Sequence, residues 1–330
     1  MLHVASGEST IERLRHAAVR GYMVPWLDLL HEGPVPADVA PPALRELRAR
    51  FIAGRGWGDE ATVRAALERR DAALAAFREH DEIVLWFERG LVGQLQLAQV
   101  LDQLAGKPLG SLRVTRIETR DPVGRMPAES VRDAFERRVE ITERGCALAR
   151  NAWIAFRAPE PVAIEPAASA IEPELPHLAA ALGRHLEEFP SVRDGLSRTE
   201  RQILEAVRDG RAVLRDARVA SHHEKEPHVF LGDTVFAGRV EVLGDGPDAA
   251  LARLDGAPIR APKPGEDGDV FWKGRVRLTD TGFSLLEGKK DWIKAHGIDR
   301  WLGGVCLVGR AIAWRFSEAK RQIQRTGVYE

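Results

Sequence analysis

Cysteine, tyrosine and methionine are scarce in this chain of 330 residues, with two, two and three copies. Cys146 and Cys306 lie far apart inside apolar patterns, which favours buried, reduced thiols over a disulfide or metal framework. No run approaches the roughly 20 apolar residues a membrane span needs. The opening MLHVASGEST has neither a basic leader nor a long apolar segment, so a cytoplasmic protein without a membrane partner is expected. An excess of either charge is missing too: 48 Lys and Arg face 49 Asp and Glu. No global field draws the molecule to a polyanion, and any such binding must be local.

What is present is the composition of an ordinary globular protein, 44% hydrophobic and 29% charged. The length exceeds what one core usually organises, so two domains are expected. Short apolar runs alternate with helical patterns through the first half. LHVAS, GYMVPWL, EIVLWFE and SLRVTRIE read as strands. Between them, STIERL (with Ser9 and Glu12 spaced as a capping box), PPALRELRARFIAG, EATVRAALERRDAALAAFREH and LVGQLQLAQVLDQLAG read as helices. Strands alternating with helices predict a parallel sheet, hence a Rossmann-like α/β domain over 1–157, extended by two helical patterns. Prolines 159, 161, 166, 173 and 176 predict a linker over 158–176.

Residues 177–330 contain LSRTERQILEAVRDG, with a second capping box (Ser197, Glu200), then a shorter helix from Ala212 and GDTVFAGRVEVLG with Asp233 as N-cap. Two strands are expected within PIRAPKPGEDGDVFWKGRVRLT, followed by a helix capped by Thr279 and a hairpin turning near Gly309. Three helices and a hairpin make a winged-helix-like α+β domain.

In an open α/β sheet the ligand crevice lies beyond the carboxyl ends of the strands. Three segments converge there: Ser6, Gly7, Glu8 and Ser9; Asp28, His31 and Glu32; Glu88 and Arg89. In WLDLLHEGPVP, Gly33, Pro34 and Pro36 stop regular structure where the polar residues emerge. An imidazole beside carboxylates suits a general base, so Asp28, His31 and Glu32 are candidate catalytic residues for hydrolysis or transfer of a phosphate-type group. Ser6, Gly7, Glu8, Ser9, Glu88 and Arg89 are candidates for binding a small polar ligand. The turn SGES is neither a dinucleotide fingerprint nor a phosphate loop, so no cofactor is assigned.

In SHHEKEPH, the spacing of His222, His223 and His228 matches no standard zinc site, and the segment reads as a solvated loop. TVFAGRVEVL, in the place of a recognition helix, offers Arg239 alone against Glu241. Arg211, Arg215, Arg218, Lys263, Lys273, Arg275 and Arg277 are better candidates for phosphate contacts, and a protein partner is the competing use of this domain. Trp153, Trp272, Trp292, Trp301 and Trp314 read as core anchors.

Taken together, LHVASGEST, WLDLLHEGPVP, WFERGLVGQLQL, HLEEFPSVRDGLSRTERQIL and GIDRWLGGVCL resemble the bacterial Domain of Unknown Function 1835 family with its associated uncharacterised C-terminal domain. The resemblance spans nearly the whole chain and brings no reaction with it. It implies weight for Glu8 and for the Asp28, His31, Glu32, Gly33, Pro34 set. In the third motif Glu88 and Gln94 match, whereas Arg89, Gly90, Val92 and Gly93 depart from the family pattern, implying that the chemistry of that motif is reduced here.

Overall fold

The structure, a computed structural model, describes residues 1–117, 119, 122–263 and 265–326. It divides into two compact units: Met1–Arg184 with Trp301–Val305, and His185–Arg300 with Cys306–Glu330. Among the described residues no helix is long and apolar enough to cross a membrane.

The first unit runs β1 (Leu2–Ser6), α1 (Glu8–His16), β2 (Tyr22–Trp26), α2 (Pro41–Gly54), α3 (Glu60–Ala75), β3 (Glu82–Trp86), α4 (Leu91–Leu104), β4 (Arg113–Ile117), α5 (Ala128–Glu136), β5 (Val139–Glu140), α6 (Glu143–Arg157), α7 (Ile164–Ile171) and α8 (Pro176–Leu186), the last crossing the division. The strands form one sheet in the order β2-β1-β3-β4-β5, parallel except for β5. The expected α/β layer is therefore present. Its order reverses at β1, which has β2 on one side and β3 on the other. Pro25, without a donor, sits on β2, an edge strand that can spare one. Every residue of β3 is buried, as expected of a strand covered on both faces.

Beneath one face, Ala5, Val84, Trp86 and Ile117 pack with Ile11 and Leu14 of α1, with Ala17 just past its end and with Val131 of α5. α4 and α6 pack against each other, as do α2 and α3. Ser9 does not cap α1. The helix begins one residue before it, with Gly7 as the cap residue at φ 81.

His3 is a polar exception inside this core. Its Nδ1 accepts from Trp86 Nε1 at 3.1 Å, and its Nε2 lies 3.1 Å from the Arg20 carbonyl, so the neutral ring with its proton on Nε2 satisfies both partners. Burial, ahead of the nearby N-terminal charge, pulls its pKa below 6.5. The unfolded chain thus takes up this proton at a higher pH than the folded one. Stability contributed by neutral His3 is intact above about pH 6.5 and declines as pH falls below it, until the lower folded-state pKa is passed. We expect a urea titration series from pH 7.5 to 5 to show that decline and His3→Phe to flatten it; an unchanged slope in the variant would assign the decline to other groups.

The proline-rich segment is not an extended linker. A short 3-10 turn at Pro161–Ala163 leads into α7, which packs on α6, and the units part at 184/185 rather than within 158–176. Pro161 opens the turn, Pro166 lies in the first turn of α7 and Pro176 opens α8. First-turn positions need no backbone donor, so proline starts these elements instead of preventing them.

The second unit carries α9 (Arg198–Arg208), α10 (Leu214–Arg218), α11 (Asp233–Leu243), β6 (Leu251–Arg253), α12 (Asp269–Trp272), β7 (Val276–Leu278), α13 (Asp280–Leu286), α14 (Trp292–His296), β8 (Ile298–Leu302), β9 (Val305–Gly309), β10 (Trp314–Ser317) and β11 (Gln322–Arg325), with Trp301–Val305 of β8, β9 and their turn counted in the first unit. Ser197 and Glu200 form the expected capping box, and Thr279 caps α13 through the Gly282 amide. Asp233 opens α11 after a Gly232 cap instead of capping it. β6 lies upstream of the expected first strand, and β8 and β9 turn at Gly303 and Gly304 instead of Gly309. Trp153 and Trp292 are core residues, whereas Trp272, Trp301 and Trp314 are half-buried.

Candidate functional site

The loop after β2 is a clamp built on Asp28. Arg48, on α2 and 1% exposed, donates through Nη2 to Asp28 Oδ1 at 2.7 Å and through Nε to both carboxylate oxygens at 3.1 and 3.3 Å. The same guanidinium caps the carbonyls of Glu32 at 2.7 Å and Leu29 at 3.1 Å. Arg70 donates to the Leu27 carbonyl, Gln96 to the Asp28 carbonyl, and Arg157 to the carbonyls of Pro36 and Val39. An irregular, buried backbone needs such partners, because its polar groups have no sheet or helix to satisfy them. Gly33 supplies a φ of 78 with the Phe51 ring directly beside its Cα.

This geometry reassigns the expected catalytic set. Asp28 carries a buried ion pair, with a second guanidinium, that of Arg70, 4.0 Å from Oδ2. His31 and Glu32 are buried, and neither lines the cavity that opens next to the loop.

That cavity, about 380 Å³, lies at the carboxyl ends of β1 and β2. Ser6 and Gly7 line it from the first turn, Trp26, Leu27, Asp28 and Leu29 from the second, Ile52 and Trp57 from α2 and its exit, Val63, Ala66 and Leu67 from α3, and Val92 and Gln96 from α4. The crevice was expected to be polar and is mainly apolar. Among the described residues Asp28 is the only charged one in its lining, and that charge is already paired.

Of the expected ligand-binding residues, Ser6 and Gly7 reach the cavity, and Glu88 does not line it. Burial pushes the Glu88 pKa up. Gln94 Nε2 donates to the Glu88 carbonyl at 2.9 Å, and a Cβ on Gly93 would lie 2.6 Å from that oxygen. Val92 lines the cavity, and the missing side chain of Gly93 lets α4 approach the Glu88 backbone. Glu8 and Ser9 are exposed on α1, and neither they nor Arg89 lines the cavity.

Several lining and bracing residues escaped sequence reasoning: Arg48, Arg70, Trp26, Trp57, Gln96 and Gln99. Gln99 accepts from Trp26 Nε1 at 2.8 Å and so sets that ring. A signal existed in QLQLAQ, where three glutamines fall within a helix that is apolar nearly all round, a pattern that places them in contact with other elements.

In the second unit three of the seven basic candidates are held in ion pairs. Arg215 and Lys273 both pair with Asp269, at 3.0 and 2.8 Å, and Arg218 pairs with Asp233 at 2.5 Å while lying over the Trp272 ring. Arg211, Lys263, Arg275 and Arg277 are exposed, Arg277 on β7 and Arg275 just before it. The intervening loop adds Asp255, Glu266 and Asp267, and Glu241 on α11 meets Arg260 at 3.6 Å. SHHEKEPH is not a solvated loop either: His222 is buried in a π-helical turn, and its Nε2 accepts from the amides of Phe230 and Leu231 at 3.2 and 2.9 Å. Compared with known proteins, the chain matches no family model and no curated protein at a significant level.

Proposed function

We propose that this chain is a small-molecule-binding protein, with a Rossmann-like first unit that takes the ligand beside Ser6 and Gly7 and a winged-helix-like second unit that gives the regulatory output. The observation that carries the reading is the cavity of about 380 Å³ at the carboxyl ends of β1 and β2. Open α/β sheets take their ligands at that edge, and small-molecule sites occupy about 300–1,000 Å³. The order of α9, a single bridge of Val213 to Arg275, α10, α11, β6 and β7 supports the winged-helix assignment. Three of its seven basic candidates are taken up in ion pairs and acidic residues stand among the rest, which supports a protein partner over nucleic acid, since affinity for a polyanion rests on a concentrated field of unpaired cations. The reading includes kinship with the Domain of Unknown Function 1835 family and a cytoplasmic setting, which suits two unpaired cysteines.

Binding is favoured over hydrolysis or transfer because Asp28 is held by Arg48 and the cavity lining contains neither His31 nor Glu32. A thermal-shift screen of nucleosides, phosphosugars, divalent ions and uncharged bicyclic aromatics tests it. A ligand at about 100 times its Kd adds about 2.7 kcal/mol to stability. Ala66→Phe, which fills the cavity from α3, is expected to abolish the shift while the variant still unfolds cooperatively. A shift retained in full by this variant would place the ligand elsewhere.

A further inference from the structure

Among the polar atoms of the cavity lining, the fold leaves one buried acceptor unmatched. Gln96, on α4 and 3% exposed, donates through Nε2 to the Asp28 carbonyl at 2.8 Å. A carbonyl takes only a donor, so this bond fixes which end of the amide is nitrogen. The other end, Oε1, is buried and has no hydrogen-bond partner among the described residues. Gln99, one turn further along the same helix, provides the contrast: its Oε1 accepts from Trp26 Nε1 at 2.8 Å. Buried side-chain acceptors are matched as a rule, and an exception in the lining of a cavity marks where a ligand's donor belongs.

The rest of the lining sets the ligand's other properties. Leu27, Leu29, Ile52, Trp57, Val63 and Val92 make its walls apolar. A closed apolar cavity of about 150 Å³ holds benzene, so one of about 380 Å³ has room for two fused rings. Of its two indoles, Trp26 is fully buried, with the Arg70 guanidinium over its ring at 4.4 Å from the centroid. Trp57 is half-buried, and its ring has surface left for a ligand. Asp28 offers no charge to a cation, since Arg48 pairs with Oδ1 at 2.7 Å and Arg70 stands 4.0 Å from Oδ2. The donor that meets Gln96 is therefore a neutral N–H or O–H, because an ammonium would lose its hydration with no counter-charge in return.

Resting on the binding reading above, we propose that the cavity takes a mainly apolar ring molecule whose neutral N–H or O–H donates to Gln96 Oε1, with Trp57 beside the ring. Indole and benzofuran test the donor, because they share a shape and differ in the N–H. Benzyl alcohol and benzylamine, cationic at about pH 7, test its charge. In saturation-transfer NMR titrations on the full chain, indole is expected to bind about tenfold more tightly than benzofuran, equivalent to about 1.4 kcal/mol. Benzyl alcohol should exceed benzylamine by about the same factor. Gln96→Met keeps the length of the side chain and removes the acceptor, so it should bring indole and benzofuran within about twofold of each other. Ala66→Phe should abolish binding of all four. Equal affinities of indole and benzofuran in the wild type, both lost in Ala66→Phe, would overturn the donor assignment and leave the cavity reading standing, whether or not the Gln96 variant folds. An indole preference that survives in a cooperatively unfolding Gln96→Met would overturn the role of Gln96. Benzylamine binding as tightly as benzyl alcohol would overturn the neutral class. Failure of all four probes to bind, or binding that Ala66→Phe leaves intact, would overturn the cavity reading and this inference with it.

Discussion

Arg48→Ala is expected to cost the first unit about 3–5 kcal/mol, the usual penalty for removing one partner of a buried ion pair. The magnitude follows from what would be left behind. Asp28 would remain buried, with Arg70 4.0 Å away as its nearest guanidinium. The carbonyls of Glu32 and Leu29 would each lose the bond from Arg48 at the same time, Leu29 keeping the Glu32 amide. A carboxylate stranded in this way costs more than the pair contributed, because its desolvation is no longer offset. A double variant, Arg48→Ala with Asp28→Ala, should therefore recover part of the loss. Urea unfolding followed by fluorescence and amide exchange of the first unit measures both. A loss under about 1 kcal/mol in the single variant would mean that water reaches Asp28 and the clamp is not a buried pair.

Gly33→Ala should be the most damaging of the small changes in the same loop. Its φ of 78 imposes about 1–2 kcal/mol on any residue with a Cβ. The new methyl would also sit 2.5 Å from the Phe51 ring, and overpacking of that kind adds about 1–3 kcal/mol. The shift in denaturant midpoint, converted through a common m-value, measures the loss. A loss under about 1 kcal/mol would mean that the loop yields at Gly33 and that the contact with Phe51 has no weight in its conformation.

The candidate site was partly legible before the structure. The carboxyl edge of the sheet, Ser6, Gly7 and Asp28 all follow from short apolar runs ending in turn residues. The role of Asp28 did not. Its partner Arg48 lies 20 residues away on a helix whose charged positions look alike in sequence. His31 and Glu32 invited a catalytic reading through proximity to Asp28, but neighbours along an irregular loop point in different directions, and here they stay outside the cavity. The proline-rich stretch misled for a different reason. Proline opposes helix only where a backbone donor is needed, and composition does not reveal which of its positions begin a helix.

By itself the sequence determined that the chain has alternating strands and helices in its first half, a parallel sheet, capped helices at Ser197 and Thr279, and enough apolar residues for real cores. Each of these rests on local quantities: the period of hydrophobic residues, the turn chemistry and the capping side chains. Only the tertiary structure decided where the units divide, that the β2 loop is a clamp, and that an apolar cavity rather than a polar crevice opens beside Ser6. Those outcomes depend on which distant side chains meet. The strand order brings Gln99 to Trp26 across 73 positions and Trp86 to His3 across 83, and the α2 packing brings Arg48 to Asp28. Burial then made each pairing consequential, since an unsatisfied polar group away from water costs far more than one in solvent.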